Sequence, residues 1–203
     1  MNYHNILHDD MRNGDGLRVV LFVSGCNHKC YNCQNPQTWD CNSGIEFDLA
    51  AKEEIFEQLN KDYISGITFS GGDPLHSNNL HEIYSLILEI RNKYPQKTIW
   101  LYTGYLWEEI ISFESELKHS YDVMKQNTDI RKALVYHDAK FEYHPDDYSL
   151  RKEIISLCDV LVDGRYIEEL ADVNYHWAGS TNQRIIDVKK SLEKGVAIRW
   201  QNN

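Results

Sequence analysis

Nowhere in the chain is there an apolar run approaching the roughly 18 residues of a membrane-spanning helix. The opening residues, Met1-Asn2-Tyr3-His4-Asn5, hold no basic segment followed by an apolar one, so no export signal is expected there. Positive charge is in short supply. Against 31 Asp and Glu stand 21 Lys and Arg, a formal net charge of -10 over 203 residues. That balance speaks against nucleic-acid binding through a broad basic surface and is the ordinary means of keeping a globular protein soluble. Cysteine is sparse and odd in number: three of the five cluster, while Cys41 and Cys158 stand apart. A secreted disulfide framework fits this poorly, and a reducing cytoplasm with a metal-bound cluster fits it well. There is no internal repeat and no low-complexity stretch. With 42% hydrophobic and 26% charged residues, the chain has the composition of an ordinary globular protein. Residues 1–203 are therefore expected to form a single domain.

Hydrophobic periodicity gives alternating strands and helices. Residues 1–16 look irregular and end in the turn signal Asn13-Gly14-Asp15-Gly16. Arg18 to Val23 reads as a buried strand, Ile64 to Ser70 as a second, Thr98 to Tyr102 as a third and Asp159 to Val162 as a fourth. Between them, Asp48 is placed to cap a helix running to about Leu59. Ile83, Leu86, Ile87 and Ile90 set out a helix over about Leu80–Lys93, and a further helical segment begins near Leu106. Each strand ends in a Gly- or Asp-bearing turn. The pattern predicts parallel strands joined by helical crossovers, with all four turns at one edge of the sheet, where α/β proteins build their sites.

The first of these turns is Cys26-Asn27-His28-Lys29-Cys30-Tyr31-Asn32-Cys33, with C-x3-C-x2-C spacing on one short loop. Three thiolates this close can converge on one metal centre. A structural zinc wants four protein ligands, and a cubane iron–sulfur cluster normally takes four cysteines. Three ligands on a four-iron cluster leave one iron open, the mark of a catalytic rather than a structural metal. On spacing alone a zinc knuckle, with Cys41 or His28 as fourth ligand, stays open. His28 sits inside the loop, either exposed or as a donor tuning the cluster from outside its ligand set. Gly71-Gly72-Asp73-Pro74 follows the second strand. Paired glycines let backbone approach a ligand closely, and free backbone N–H and C=O groups suit the carboxylate and ammonium of a bound amino acid. Cys158 reads as core and Cys41 as a partly buried thiol.

The cysteine loop together with Gly71-Gly72-Asp73-Pro74 resembles the radical S-adenosylmethionine superfamily. A closer resemblance is carried by Asn13-Gly14-Asp15-Gly16-Leu17-Arg18, Leu21-Phe22-Val23-Ser24-Gly25-Cys26, Thr38-Trp39 and Ser70 to Leu75. Trp100 to Tyr105, Val160 to Gly164, Trp177-Ala178-Gly179-Ser180 and Asn182-Gln183-Arg184 continue it in order. Within the glycyl-radical activating enzymes these blocks are similar to the activators of anaerobic ribonucleoside-triphosphate reductase, over roughly residues 1–112 and 152–184. The resemblance implies an α/β fold, a partial (β/α) barrel of mostly parallel strands. It implies that Cys26, Cys30 and Cys33 hold a 4Fe–4S cluster whose open iron chelates S-adenosyl-L-methionine. Asn32, Cys33 and Gln34 are then expected to line that cofactor largely through backbone, Gly71, Gly72 and Asp73 to bind it, with Gly72 on its methionine part, and Thr103 and Asp163 to reach its sulfonium or ribose side.

The implied reaction is reductive cleavage of S-adenosylmethionine to methionine and a 5′-deoxyadenosyl radical, which takes a hydrogen atom from a glycine of the partner reductase. No side chain is required as acid, base or nucleophile. The implied partners are the glycyl radical subunit of the reductase and a low-potential electron donor such as a flavodoxin or ferredoxin, in the cytoplasm. This sequence has Asp15, Gln34 and Tyr102 where the family often has proline, tyrosine and tryptophan. Residues about 113–150 look like an insertion and about 185–203 like a C-terminal extension, with Lys189, Lys190 and Lys194 on a solvated helix face. Rival readings are an activase of the pyruvate formate-lyase type, a small-molecule radical enzyme, and a non-catalytic zinc or iron–sulfur module.

Overall fold

A computed structural model describes residues 1–111 and 145–201. In chain order these form β1 (Asn2–Asp10), β2 (Arg18–Val23), β3 (Ile45–Glu46), α1 (Leu49–Leu59), β4 (Gly66–Gly71), α2 (Leu80–Lys93), β5 (Thr98–Tyr102) and α3 (Trp107–Ile111). After the undescribed stretch come α4 (Pro145–Ser156), β6 (Val160–Asp163), β7 (Arg184–Asp187) and α5 (Val188–Lys194). The strands join in one seven-stranded sheet of order β3-β1-β2-β4-β5-β6-β7. The four central strands β2, β4, β5 and β6 run parallel, as their crossover helices require, whereas β1, β3 and β7 are antiparallel to their neighbours. The fold is mixed α/β with its parallel part confined to the middle.

Burial explains the apolar runs. Val19, Leu21, Val23, Ile67, Phe69, Ile99, Leu101 and Leu161 pack against Ile55 and Leu59 of α1, Ile83, Ile87 and Ile90 of α2, and Ile154 and Ile155 of α4. On the opposite face Trp100, Val160 and Val162 pack with Tyr102, Ile185, Trp177 and Trp200. Strands covered on both faces need apolar residues at successive positions, which is why β2 and β6 read as continuous hydrophobic runs. Arg18 is the exception within β2. Its guanidinium is fully buried, with Nε on Thr68 Oγ1, Nη1 on Thr98 Oγ1 and Nη2 on the carbonyls of Ile67 and Thr98. Burial lowers its pKa to about 10, and Trp100 packs 5.4 Å from its Cζ.

Helix α1 starts where Asp48 accepts the Ala51 N–H at 2.9 Å, as its position before the apolar face predicts. Helix α2 covers Leu80–Lys93, with Arg91 and Lys93 in its last turn, where cations favour the carbonyl end. Three elements depart from expectation. Residues 2–10 are a strand, not irregular: β1 buries only Ile6, so its sequence shows no apolar alternation, and backbone pairing to β2 and β3 holds it. The C-terminal extension supplies the edge strand β7 and helix α5, whose Lys189, Lys190 and Lys194 are exposed as expected. Of the expected insertion, residues up to 144 lie outside the described residues, and those from Pro145 on open α4. Cys158 is buried with its thiol on the Ile154 carbonyl, a core residue as expected.

Asp48→Ala removes the α1 cap. The expected loss is about 1 kcal/mol of folding stability, read as a lower midpoint in urea denaturation at unchanged slope.

Candidate functional site

The cysteine loop leaves the C-terminal end of β2. Its root is fixed by backbone: Gly25 donates to the Thr38 carbonyl at 2.7 Å and Cys26 to the Trp39 carbonyl at 3.0 Å. Within the loop Lys29 and Asn32 adopt left-handed φ of 46° and 51°, and Cys33 donates to the Cys30 carbonyl at 3.1 Å. These reversals fold the loop tightly. Cys26 is buried, Cys30 and Cys33 are half-buried, and all three are free thiols. Burial pushes the Cys26 thiol up to about 11, with the Asp73 charge adding to it, while the backbone N–H groups of His28 and Lys29 pull the other way. Burial also raises Cys30, against an N–H from Tyr166. Cys33 Sγ accepts the Asn35 N–H at 3.4 Å. Among the described residues no three His, Cys, Asp or Glu side chains gather around a point that a single metal ion would occupy.

The loop is bound to the rest of the sheet edge through Asp73. This carboxylate is 1% exposed. Its Oδ1 accepts the Leu75 N–H at 2.8 Å, and both oxygens lie 2.9 Å from the Thr103 hydroxyl, which donates to them. Oδ2 also accepts the Gly104 N–H at 3.1 Å and stands 2.8 Å from His28 Nε2. The Asp73 N–H donates to Gly25, the residue before the first cysteine, at 2.7 Å. One side chain thus ties together the ends of β2, β4 and β5. His28 is inside the structure rather than exposed: its side chain is 6% accessible, and its ring lies over Gly104. A Cβ at Gly104 would fall 2.3 Å from His28 Cδ2, so only glycine fits beneath it. The glycine pair is equally constrained. Gly71 has φ of 105° and abuts Phe22 and Val23, and a Cβ on Gly72 would lie 2.5 Å from the Gly25 carbonyl oxygen.

Residues 12–126 and 124–186 match the 4Fe-4S single cluster domain. The anaerobic ribonucleoside-triphosphate reductase-activating protein of Escherichia coli K12 is 35% identical over 185 residues, spanning 90% of this chain and 96% of that protein. The protein of the same name from Enterobacteria phage T4 is 36% identical over 91% of this chain and 93% of its own length. The one from Vibrio cholerae is 34% identical over 91% and 97%. The chain belongs to the family of anaerobic ribonucleoside-triphosphate reductase-activating proteins.

In this activating-protein fold the expected site residues fall into two groups. Asn32 and Gln34 are exposed on the cysteine loop beside Cys33, and Gly71 and Gly72 are half-buried at the facing turn. Asp73, Thr103 and Asp163 are buried, and the protein itself engages their polar atoms. Asp163, at the end of β6, is fully buried and accepts the Trp107 N–H at 2.7 Å. It also receives Arg184 Nε at 3.0 Å and Nη2 at 2.5 Å. The same guanidinium reaches both oxygens of Glu108, at 3.0 and 2.6 Å. These two hydrogen-bonded carboxylates raise the Arg184 pKa, and the Arg184 hydrogen bond lowers that of Glu108. Gln183 closes the same end, donating to the Gly164 carbonyl and accepting the Gly179 N–H, each at 2.9 Å.

Sequence reasoning left the roles of His28 and Arg184 undefined and passed over Arg151 of α4, which donates to the Leu75 carbonyl at 2.9 Å. It named Trp39 only within a motif. Its indole N–H is buried without a partner among the described residues, and its carbonyl anchors Cys26. Cys41 accepts a hydrogen bond from Asn78 at 3.3 Å and lies apart from the three-cysteine loop in its bonding.

Arg184→Met leaves the Asp163 carboxylate buried without its counter-charge. The expected cost is about 3 kcal/mol in chemical denaturation. The variant also loses part of the acid sensitivity. A depressed Glu108 pKa contributes stability that is complete above its ordinary value of 4.5 and is lost as pH falls through the lowered one. Stability measured between about pH 6 and pH 3 therefore falls less steeply in the variant than in the parent.

Proposed function

We propose that this chain is an enzyme that activates an anaerobic ribonucleoside-triphosphate reductase by generating a radical on a glycine of that partner. In this reading Cys26, Cys30 and Cys33 hold a 4Fe–4S cluster with one open iron, and S-adenosylmethionine is the second cofactor. The observation that carries it is the buried Asp73 junction, which binds the three-cysteine loop to the Gly71-Gly72 turn in one rigid unit. Membership of the activating-protein family supplies the reaction class.

The residues fit a cluster. Cys33 Sγ accepts the Asn35 N–H, and nearby backbone N–H groups favour the thiolate at Cys26 and Cys30, an influence that also tunes an iron–sulfur centre. A thiol raised by burial is deprotonated outright when it coordinates a metal. The Trp39 indole N–H is a buried donor with nothing to bond among the described residues, on the residue whose carbonyl anchors Cys26. The three-cysteine spacing leaves one iron of a cubane without a protein ligand, whereas a structural zinc would need a fourth.

Roles follow from placement. Asn32, Cys33 and Gln34 line the cofactor from the cysteine loop, and Gly71 and Gly72 present backbone to its methionine part. Thr103 donates its hydroxyl to Asp73, so both hold the turn in register. Asp163, fixed by Arg184, sets the end of β6 on the ribose side. When bound, the reduced cluster and S-adenosylmethionine supply one-electron reductive cleavage of a carbon–sulfur bond, from which hydrogen abstraction follows. The chain orients these groups and shields them from water.

The four parallel strands β2, β4, β5 and β6 belong, in this reading, to a partial barrel of the radical S-adenosylmethionine type, and the whole chain is one domain. The reducing electron comes from a low-potential donor such as a flavodoxin or ferredoxin in the cytoplasm. Among the described residues no helix is long and apolar enough to cross a membrane.

The test is anaerobic. The chain is rebuilt with iron and sulfide, reduced with dithionite and given S-adenosylmethionine, alone and with the reductase. Methionine and 5′-deoxyadenosine are expected in equal amounts, and a glycyl radical signal is expected on the reductase. Binding of zinc with no iron cluster, or an iron cluster that yields neither product even with the reductase present, overturns the proposal. Cys30→Ala is expected to remain folded and soluble and to form neither product.

A further inference from the structure

We propose that Arg151, Tyr105 and His28 are positioning residues, three side chains in consecutive contact that hold the cysteine loop in place from α4. The proposal rests on reading that loop as the cluster site. Arg151 is 7% exposed and anchored on the glycine turn: Nε donates to the Leu75 carbonyl at 2.9 Å and Nη2 to Ser77 Oγ at 3.3 Å. Its Cζ lies 4.9 Å from the centre of the Tyr105 ring. The Tyr105 ring lies 4.7 Å from that of His28 at 78°, an edge-to-face contact. His28 ends the series on Asp73 at 2.8 Å, with side-chain exposures of 6% and 2%.

Each member is fastened to a different part of the sheet edge. Tyr105 donates its backbone N–H to Thr103 Oγ1 at 3.2 Å, and its carbonyl accepts the Gly164 N–H at 3.1 Å, linking β5 to β6. His28 belongs to the loop itself, two residues from Cys26 and two from Cys30. Displacing the Tyr105 ring frees His28 to leave Asp73, and the loop then loses its only side-chain tie to that carboxylate among the described residues. The guanidinium is suited to its end of the series. It is planar, it stays charged, and it donates to the turn while lying over a ring. A lysine ammonium keeps the charge but neither the fork nor the stacking plane. Tyr105 needs only its ring for these contacts.

The experiment uses the full chain as Arg151→Met, Arg151→Lys, Tyr105→Leu and Tyr105→Phe. Before reconstitution, the alkylation rates of Cys30 and Cys33 are measured by mass spectrometry, with a thermal melt to establish folding. After reconstitution, iron content and the KM and kcat for S-adenosylmethionine cleavage are measured. Arg151→Met, Arg151→Lys and Tyr105→Leu are expected to speed alkylation and to raise KM about tenfold with kcat changed by less than about twofold. Tyr105→Phe is expected to match the parent in both. Where Met or Leu at these positions fails to fold, the Lys and Phe variants decide: an impaired Arg151→Lys beside a parental Tyr105→Phe upholds the proposal. Parental behaviour of Arg151→Lys, or impairment of Tyr105→Phe, overturns it. A parent chain that binds no iron overturns the cluster reading, whereas a parent that binds iron beside variants indistinguishable from it overturns the positioning role alone.

Discussion

The site depends on one buried carboxylate. Asp73 takes donors from His28, Leu75, Thr103 and Gly104, residues on three separate segments that meet only in the folded chain. A buried carboxylate is costly unless it is fully hydrogen-bonded, so each donor is needed and each constrains its own segment. The glycines follow from this. Gly104 leaves room for His28, and Gly72 lets the turn close on the Gly25 carbonyl. The cysteine loop is therefore not a free surface loop that a metal must organise. Its root and its middle are already bound to the sheet edge.

A second buried carboxylate performs the same task on the far side. Asp163 joins the end of β6 to the start of α3 and to β7 through Trp107 and Arg184. Because β2, β4, β5 and β6 are parallel, their carboxyl ends share one edge, and the two aspartates brace it from either side. The helices α1, α2 and α4 cover the opposite requirement, burying one face of the sheet so that its edge stays rigid. Fold and site are linked here by topology. Antiparallel central strands would have divided these turns between two edges.

Much of this was legible in the sequence wherever the information is local. The apolar run of β2, the spacing of Ile83, Leu86, Ile87 and Ile90 in α2, and the Asp48 cap each encode their element within a few residues. Strand β1 was not legible because its residues are half-exposed and polar, and pairing with β2 decides its conformation. Strand β7 is short, and its place depends on β6. The bonding of the site was less visible still. His28 meets a partner 45 residues away and Arg151 one 76 residues away, separations that no periodicity records. Thr103 and Asp163 are legible as strand-end residues, but the bonds of their polar atoms to Asp73 and Arg184 arise only where distant segments meet in the fold.

The most direct test of the central claim is a nuclear-coupling measurement by electron–nuclear double resonance. The reduced, reconstituted chain is combined with S-adenosylmethionine labelled with nitrogen-15 at its amino group. A cluster held by Cys26, Cys30 and Cys33 with one open iron predicts a resolved nitrogen-15 coupling to the cluster spin. In the proposed function the cofactor is chelated at that open iron, between the three-cysteine loop and the glycine turn. A cluster spin that is indifferent to the label, with the cofactor bound, contradicts the account.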